Sequence, residues 1–592
     1  MSEMKWDLAQ VVDGTDVESI KAKLTAMVED SASFAARYGG KVAELTPADL
    51  ASMLREKDDL VLRYEGAAMY CTLSFAADQT DPVANDLYNA YSNASTAAGQ
   101  HLAFLAIELG RLLAARPGTV DRPELADYRH YLERSLRVAP YLLSEAEERV
   151  IMAKDQTGIS AWSKLQSKWL SSRQFRPVVR GKETVLTMGE IVPLIYSPDR
   201  ETRRAAYHAM GTELGKDQLL WADALRTIWT DHIQMGRLRH YPSPLTSSLI
   251  ANDVEEDAIH ALMRVVDSNA PLVQRYFLVK ARRLGLERLG NWDLRAPLPG
   301  SPDRTWTWDE ARDVMISTYS DFDPLFGEWV RDMYDRRHID GELRKGKRTG
   351  AFCDTWMAGR SAYVLSSFNG RLNDLFTMAH ELGHAMHAYL STRAQNPSNC
   401  QVSLCVAECG SLFGELLLTE RLLGEAATAD EKRHILVRLL NSFAQVVYQE
   451  GFRYFFETEV ASAVEQGRFL DGNAISELWM AAQKRMYGDS VEYLPETRWD
   501  WARFPHHYFA DIRFYEYPYV FAQLFVYALY RLYKEQGEEF RPRFEALLAA
   551  GSSLSAAQLA EGMGFDISED AFWQKGMDQV KDFLDQLEAL GD

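Results

Sequence analysis

Apolar residues spaced by three and four positions run through most of the chain and predict helix along most of its length. Between residues 45 and 115 one amphipathic segment follows another. Leu102, Leu105, Leu109, Leu112 and Leu113 fall on one helical face after a polar stretch. The pattern breaks in a few places. Phe175-Arg-Pro-Val-Val179 and Thr184-Val-Leu-Thr187 are rich in β-formers and flank Arg180-Gly181-Lys182-Glu183, which predicts a β-hairpin. Ser197-Pro198-Asp199 predicts a helix start, with Ser197 as cap, proline in the first turn and an acid at the positive end. A boundary is expected here, between an N-terminal helical lobe (1–195) and a catalytic domain (196–592). The proline-rich stretch 291–302 predicts a loop. From Asp354 to Asn369 β-formers return, and Ala362-Tyr363-Val364-Leu365 predicts a short strand. The expected fold class is mainly α, with a small β element, and no repeat of fixed period interrupts it.

The chemistry concentrates in one of these helices. Asn373 or Asp374 can cap a segment that runs through Phe376, Met378, His380, Leu382, His384 and Ala388. His380 and His384 are four residues apart, so both imidazoles lie on one face, one turn above the other. Two ligands of a tetrahedral zinc need that spacing. Glu381 follows the first histidine and can take a proton from a water activated at the metal. The flanking positions are small or apolar. A charged group in such a setting is costly to bury unless it binds something. A bound zinc and hydrolysis of a peptide bond are the expectation.

A third protein ligand leaves one position for water. From Ala385 to Ala407 there is no acid, and the first one downstream is Glu408, in the apolar run Val402–Glu415 that predicts a second buried helix. Glu408 is the expected ligand. Glu415, seven residues on and so on the same face, is expected either to orient a ligand histidine or to sit in an ordinary buried ion pair. His387 competes for the ligand role, although three ligands along one helix seldom surround one metal. A longer zinc signature with a third histidine is absent, because position 390 is leucine.

Composition narrows the partners. The formal net charge of −20 argues against nucleic acid and against anionic membranes as partners. Hydrophobic residues make up 47% and charged residues 25%, as in soluble globular proteins. There are 5 cysteines, and Cys400, Cys405 and Cys409 lack two-residue ligand spacing, so they are expected to be buried apolar residues in a reducing compartment. No secretory leader and no membrane-spanning run is visible, and a cytoplasmic location is expected.

Phe368-Asn-Gly-Arg-Leu-Asn-Asp-Leu-Phe-Thr-Met-Ala-His-Glu-Leu-Gly-His-Ala-Met-His387 resembles the active-site helix of the oligoendopeptidase F family, among the thimet-oligopeptidase-like zinc peptidases. Gly181-Lys182, Ile191–Arg200, Trp292–Leu298, Trp501–His506 and Phe514–Tyr519 extend the likeness over most of the chain. The resemblance implies a two-lobed helical ellipsoid with a deep substrate channel and one zinc per chain on its floor. It implies cleavage of internal bonds in short unfolded peptides, with folded proteins excluded. It puts His380, His384 and Glu408 at the ligand positions, Glu381 at the general base, and His506 and Tyr517 near groups that stabilise the transition state. Between His506 and Phe514 the chain runs a few residues longer than the family pattern, which leaves Tyr515 and Tyr519 as alternatives to Tyr517 for contact with substrate. The Tyr363 strand is expected to pair with an extended peptide. The alternative function is a zinc exopeptidase of similar fold, a carboxypeptidase or dipeptidyl carboxypeptidase. That reading requires a charge to capture a terminal carboxylate.

Overall fold

The structure is a computed structural model, and it describes residues 3–300 and 304–591. Helices dominate, and seven short strands form three small sheets among the described residues. Several helices begin on a side-chain cap: Asp16, Thr46, Asp81 and Thr307 each accept a backbone N–H of the first turn. The leucine stripe read from the sequence is split. Leu102 ends the Pro82–Leu102 helix, and Leu105, Leu109, Leu112 and Leu113 are buried on the Phe104–Ala115 helix.

The chain forms two compact units, each assembled from separated stretches. One comprises Met1–Leu142, Asp303–Gly424 and Leu529–Asp566; the other comprises Leu143–Pro302, Glu425–Ala528 and Ile567–Asp592. The second unit holds the expected hairpin. Strands β1 (Val178–Val179) and β2 (Lys182–Glu183) pair antiparallel around Arg180 and Gly181, both at positive φ as a two-residue turn demands. The Arg200–Lys216 helix starts later than the serine suggested. Asp199 is its cap and accepts the Thr202 N–H, because Pro198 holds the chain extended before it. The 291–302 stretch is a loop after a 3-10 turn at Asn291–Asp293; Ser301 and Pro302 lie outside the described residues. Its Asp293 is buried and accepts from Arg203 (2.8 Å) and Arg200 (3.0 Å), which anchors the loop on the helix. Strands β3 (Leu289–Gly290) and β7 (Val491–Glu492) pair in parallel in the same unit.

The first unit holds the other sheet, in the order β4 (Ile339–Asp340), β6 (Ser361–Leu365), β5 (Phe352–Trp356). Strand β6 is buried along its whole length, in keeping with its continuous run of small and apolar residues. It pairs in parallel with β4 and antiparallel with β5, so both of its edges are used. Tyr363 therefore has no free backbone for a peptide. Its ring stacks on His338 at 4.3 Å, and its hydroxyl donates to the Asp7 carbonyl at 2.9 Å. Among the described residues β4 and β5 each keep one edge that no strand covers, and β5 is the longer of the two.

Candidate metal centre

The Leu372–Ala394 helix carries His380, Glu381 and His384. Asp374 secures its start from the third helical position, accepting the backbone N–H groups of Arg371 (2.9 Å) and Asn369 (2.8 Å). Tyr319 donates to the Ala379 carbonyl at 2.6 Å, one residue before the first histidine. The apolar run over 402–415, read as one helix, is two: Leu404–Ala407 and Cys409–Glu425. Glu408 stands at the joint, with φ −86° and ψ 4°. The two helices meet backbone to backbone at Gly383 and Gly410. A Cβ on either would come within 2.2 Å of the other's carbonyl oxygen. That approach brings the Glu408 carboxylate to the histidines.

Glu408 Oε2 lies 3.3 Å from His380 Nε2 and 3.4 Å from His384 Nε2. A tetrahedron with bonds of about 2.0–2.1 Å has edges of about 3.3 Å, so two nitrogens and a carboxylate at this spacing fit zinc. His380 Nδ1 lies 2.9 Å from Glu415 Oε1, which directs the ring's other nitrogen at the centre. The Ser411 hydroxyl donates to Glu408 and limits its rotation. Burial opposes a charge on His380, but the surrounding Glu415, Glu408 and Glu381 raise its pKa to about 9. The site is one that holds positive charge.

Glu381 is buried and outside this set of ligand atoms. Burial pushes its carboxyl up to about 7; His380 works against that shift, and Glu408 and Glu415 add to it. It lines a cavity of about 360 Å³ with His380, His384 and residues of β5, Phe352, Cys353 and Thr355. The β element thus borders the metal helix. His387 faces the same cavity but lies outside the ligand group, and burial lowers its pKa to about 4. All five cysteines are free thiols.

In the second unit His506 gathers the tyrosines selectively. Its ring lies 4.9 Å from that of Tyr515 and stacks on Tyr519 at 6.1 Å. Tyr519 is 38% exposed, and Tyr515 is half-buried. Tyr517 departs from the expectation. It is fully buried, and its hydroxyl accepts from Ser248 Oγ and Asn252 Nδ2, both at 3.2 Å. The Tyr517–Gln536 helix begins at this residue, so Pro518 sits in the first turn, where proline is tolerated, and produces no kink to turn Tyr517 outward.

The profile of Peptidase family M3 matches residues 193–304 and 307–579, and that of Oligopeptidase F matches residues 119–175. The chain belongs to peptidase family M3. Group B oligopeptidase PepB of Streptococcus agalactiae is 27% identical to this M3 peptidase over 522 residues, 85% of this chain and 84% of the relative. Oligopeptidase PepF of Bacillus subtilis is 25% identical over 560 residues, 94% of this chain and 82% of the relative. The crystal structure of oligoendopeptidase-F from Enterococcus faecium shares the fold, with a TM-score of 0.69 at 21% identity over 98% of this chain and 99% of that one. A Chlamydophila abortus protein described as a peptidase superposes with a TM-score of 0.87 at 22% identity, over 99% and 98% of the two chains. This M3 peptidase is a metallo-oligopeptidase of mainly helical fold. No helix among its described residues is long and apolar enough to cross a membrane.

Sequence reasoning missed two features of the metal centre and one of the His506 segment. Ser411, three residues after Glu408, was legible only as a local hydroxyl partner once Glu408 was suspected. The Gly383–Gly410 contact joins distant segments and has no local signal. It carries a prediction. Gly410→Ala places a methyl where only 2.2 Å is available, so the helices must separate. Metal affinity is expected to fall about 10–100-fold, as it does when the support of a ligand is disturbed, with a lowered Tm. Unchanged zinc affinity by competition titration would show that the contact does not hold Glu408 in place. The third feature is the exposure of the tyrosines. If Tyr519 takes the oxyanion-donor role expected of this segment, Tyr519→Phe lowers kcat about 10²–10³-fold. Tyr517→Phe should leave kcat within a few-fold of wild type while lowering Tm, because it removes an acceptor that the buried Ser248 and Asn252 donors share. The reverse ranking in steady-state kinetics would restore Tyr517 to the site.

Proposed function

We propose that this M3 peptidase is a zinc-dependent oligoendopeptidase that cleaves internal bonds of short unfolded peptides in the cytoplasm. The observation that carries the reading is the spacing of the His380, His384 and Glu408 ligand atoms, with the buried Glu381 beside them. In chain order we assign residues 1–195 to an N-terminal helical part and residues 196–592 to the peptidase part, a division of the sequence that does not follow the two compact units.

His380, His384 and Glu408 would hold a zinc ion, which would supply a Lewis acid able to make water nucleophilic near neutral pH and to polarise the scissile carbonyl. Glu381 accepts the proton of the attacking water and delivers it to the nitrogen of the leaving amine. Glu415 accepts the Nδ1–H of His380 and so keeps the Nε2 lone pair on the metal side. The uncovered edge of β5 offers backbone N–H and C=O groups to an extended peptide, which tolerates many side chains. His506 and Tyr519, with Tyr515 beside them, supply donors for the oxyanion.

The test uses internally quenched peptides blocked at both ends. The protein should cleave them, lose that activity with a chelator and regain it with zinc. Cleavage only of peptides with a free terminus would establish the exopeptidase reading instead. Activity that survives exhaustive metal removal would end the metal-dependent one.

A further inference from the structure

The second unit buries a cluster of ionisable side chains, of which the peptidase reading uses only His506. Glu450, Arg453 and Glu457 enter it from the Glu450–Glu465 helix, His506 and His507 from the Pro505–Tyr508 turn, and Arg513 and Glu516 from the segment before Tyr517. The Glu516 side chain is 0% exposed. Its Oε2 lies 3.2 Å from His506 Nδ1, and its Oε1 lies 3.8 Å from His507 Nε2. Neither oxygen receives a well-aligned hydrogen bond among the described residues. A buried carboxylate in that condition is costly, so a donor that can turn toward it gains from doing so.

The neighbours narrow the choice of donor. Arg453 donates to both oxygens of Glu450, at 2.9 and 2.6 Å. Arg513 donates to the His507 carbonyl at 2.8 Å, and its other terminal nitrogen bonds neither carboxylate. His507 Nδ1 lies 3.2 Å from the Trp501 carbonyl, which can only accept, so that nitrogen carries the hydrogen. Burial pushes the His507 pKa down to about 3, which leaves its Nε2 as a bare lone pair facing Glu516. His506 Nδ1 is the nearest group left to donate. The backbone holds Glu516 in place: Phe514, two residues earlier, takes a left-handed φ of +54° while its ring packs on Trp229.

We propose that Glu516 is a positioning residue for His506: it accepts the Nδ1–H and fixes the ring's orientation, so that the Nε2–H is the hydrogen offered to the oxyanion. The inference rests on the reading of His506 as part of the peptidase site. Glu450, His506 and Glu516 could also offer three ligand atoms to a cation, all within 4.8 Å of one another. The Arg453 guanidinium already bound to Glu450 disfavours a second positive charge there.

Two measurements test it. The first is a double-mutant cycle with Glu516→Gln and His506→Ala, assayed on blocked quenched peptides. Glu516→Gln is expected to lower kcat about 10–100-fold with KM and zinc content nearly unchanged, as the loss of a partner that orients a functional imidazole does. Glu516→Asp should recover part of the loss, and Glu516→Gln should cost nothing further in the His506→Ala protein. Equal losses in both backgrounds, or full activity of Glu516→Gln, would overturn the proposal. The second is ¹⁵N NMR of histidine-labelled wild-type protein, which needs no variant of Glu516 to fold. Hydrogen on Nδ1 of His506 is expected, and an Nδ1 without hydrogen would overturn the proposal. A second equivalent of zinc, lost in Glu516→Gln, would make the cluster a metal site instead. Wild-type protein inactive on blocked peptides would sink the peptidase reading itself, whereas an active wild type with uncoupled mutations sinks only this inference.

Discussion

Glu381→Gln is expected to lose nearly all hydrolysis while the protein keeps its metal. Glu381 shares a helix with both histidines but stays out of the group formed by His380, His384 and Glu408. An amide of the same shape leaves those three untouched and cannot accept a proton from water. The carboxyl it replaces is buried, and its raised pKa marks a base that holds a proton more readily than an ordinary carboxylate does. A positioned general base contributes about 10²–10⁴ in rate, and kcat should fall by at least that range, because in the mechanism proposed above the same group also returns the proton to the amine. The measurement pairs kcat on a quenched peptide with metal content of the same sample. Wild-type turnover at full metal occupancy would show that another group is the base.

Glu408→Ala is expected to release zinc, and Glu415→Ala to weaken its binding about 10–100-fold without abolishing it. The difference follows from which atoms each carboxylate faces. Glu408 approaches Nε2 of both histidines, the two nitrogens that can share one ion. Glu415 approaches Nδ1 of His380, on the far side of the ring. Removing Glu408 leaves two ligands where a hydrolytic zinc needs three. Removing Glu415 leaves all three but frees one ring to rotate. Metal analysis after dialysis against a graded chelator separates the outcomes. Full retention in Glu408→Ala would move the third ligand elsewhere, and His387, which faces the same cavity, is the first place to look.

The expectations read from the chain fared according to how local they were. The hairpin is visible in sequence because β-formers on both sides of a polar, glycine-containing segment are a short-range signal, but the turn is Arg180–Gly181 alone, and Lys182 and Glu183, read as part of the connection, form the second strand. The strand at 361–365 is visible for a similar reason, yet its neighbours are not. Nothing near Tyr363 says that β4, more than twenty residues upstream, closes one edge and β5 the other. The candidate docking edge therefore moves from the Tyr363 strand to β5. The tyrosines show the same limit at finer scale. Residues 515, 517 and 519 look alike in sequence, and their directions depend on the left-handed turn at Phe514 and on the Ser248 and Asn252 side chains that receive Tyr517.

The HExxH helix needed nothing beyond the chain itself. A separation of four residues sets two imidazoles one turn apart whatever surrounds them, because helical geometry is local. The acid-free gap then leaves Glu408 as the first carboxylate the chain offers after them. Tertiary structure alone decided how that carboxylate reaches the pair. The helix breaks at Glu408 and presses Gly410 against Gly383, an approach possible only where neither residue has a side chain and visible only when both segments are packed. Local periodicity carries the energies of neighbours a few residues apart. The closeness of two backbones twenty-seven residues apart is settled by the packing of the whole first unit, which no single segment encodes.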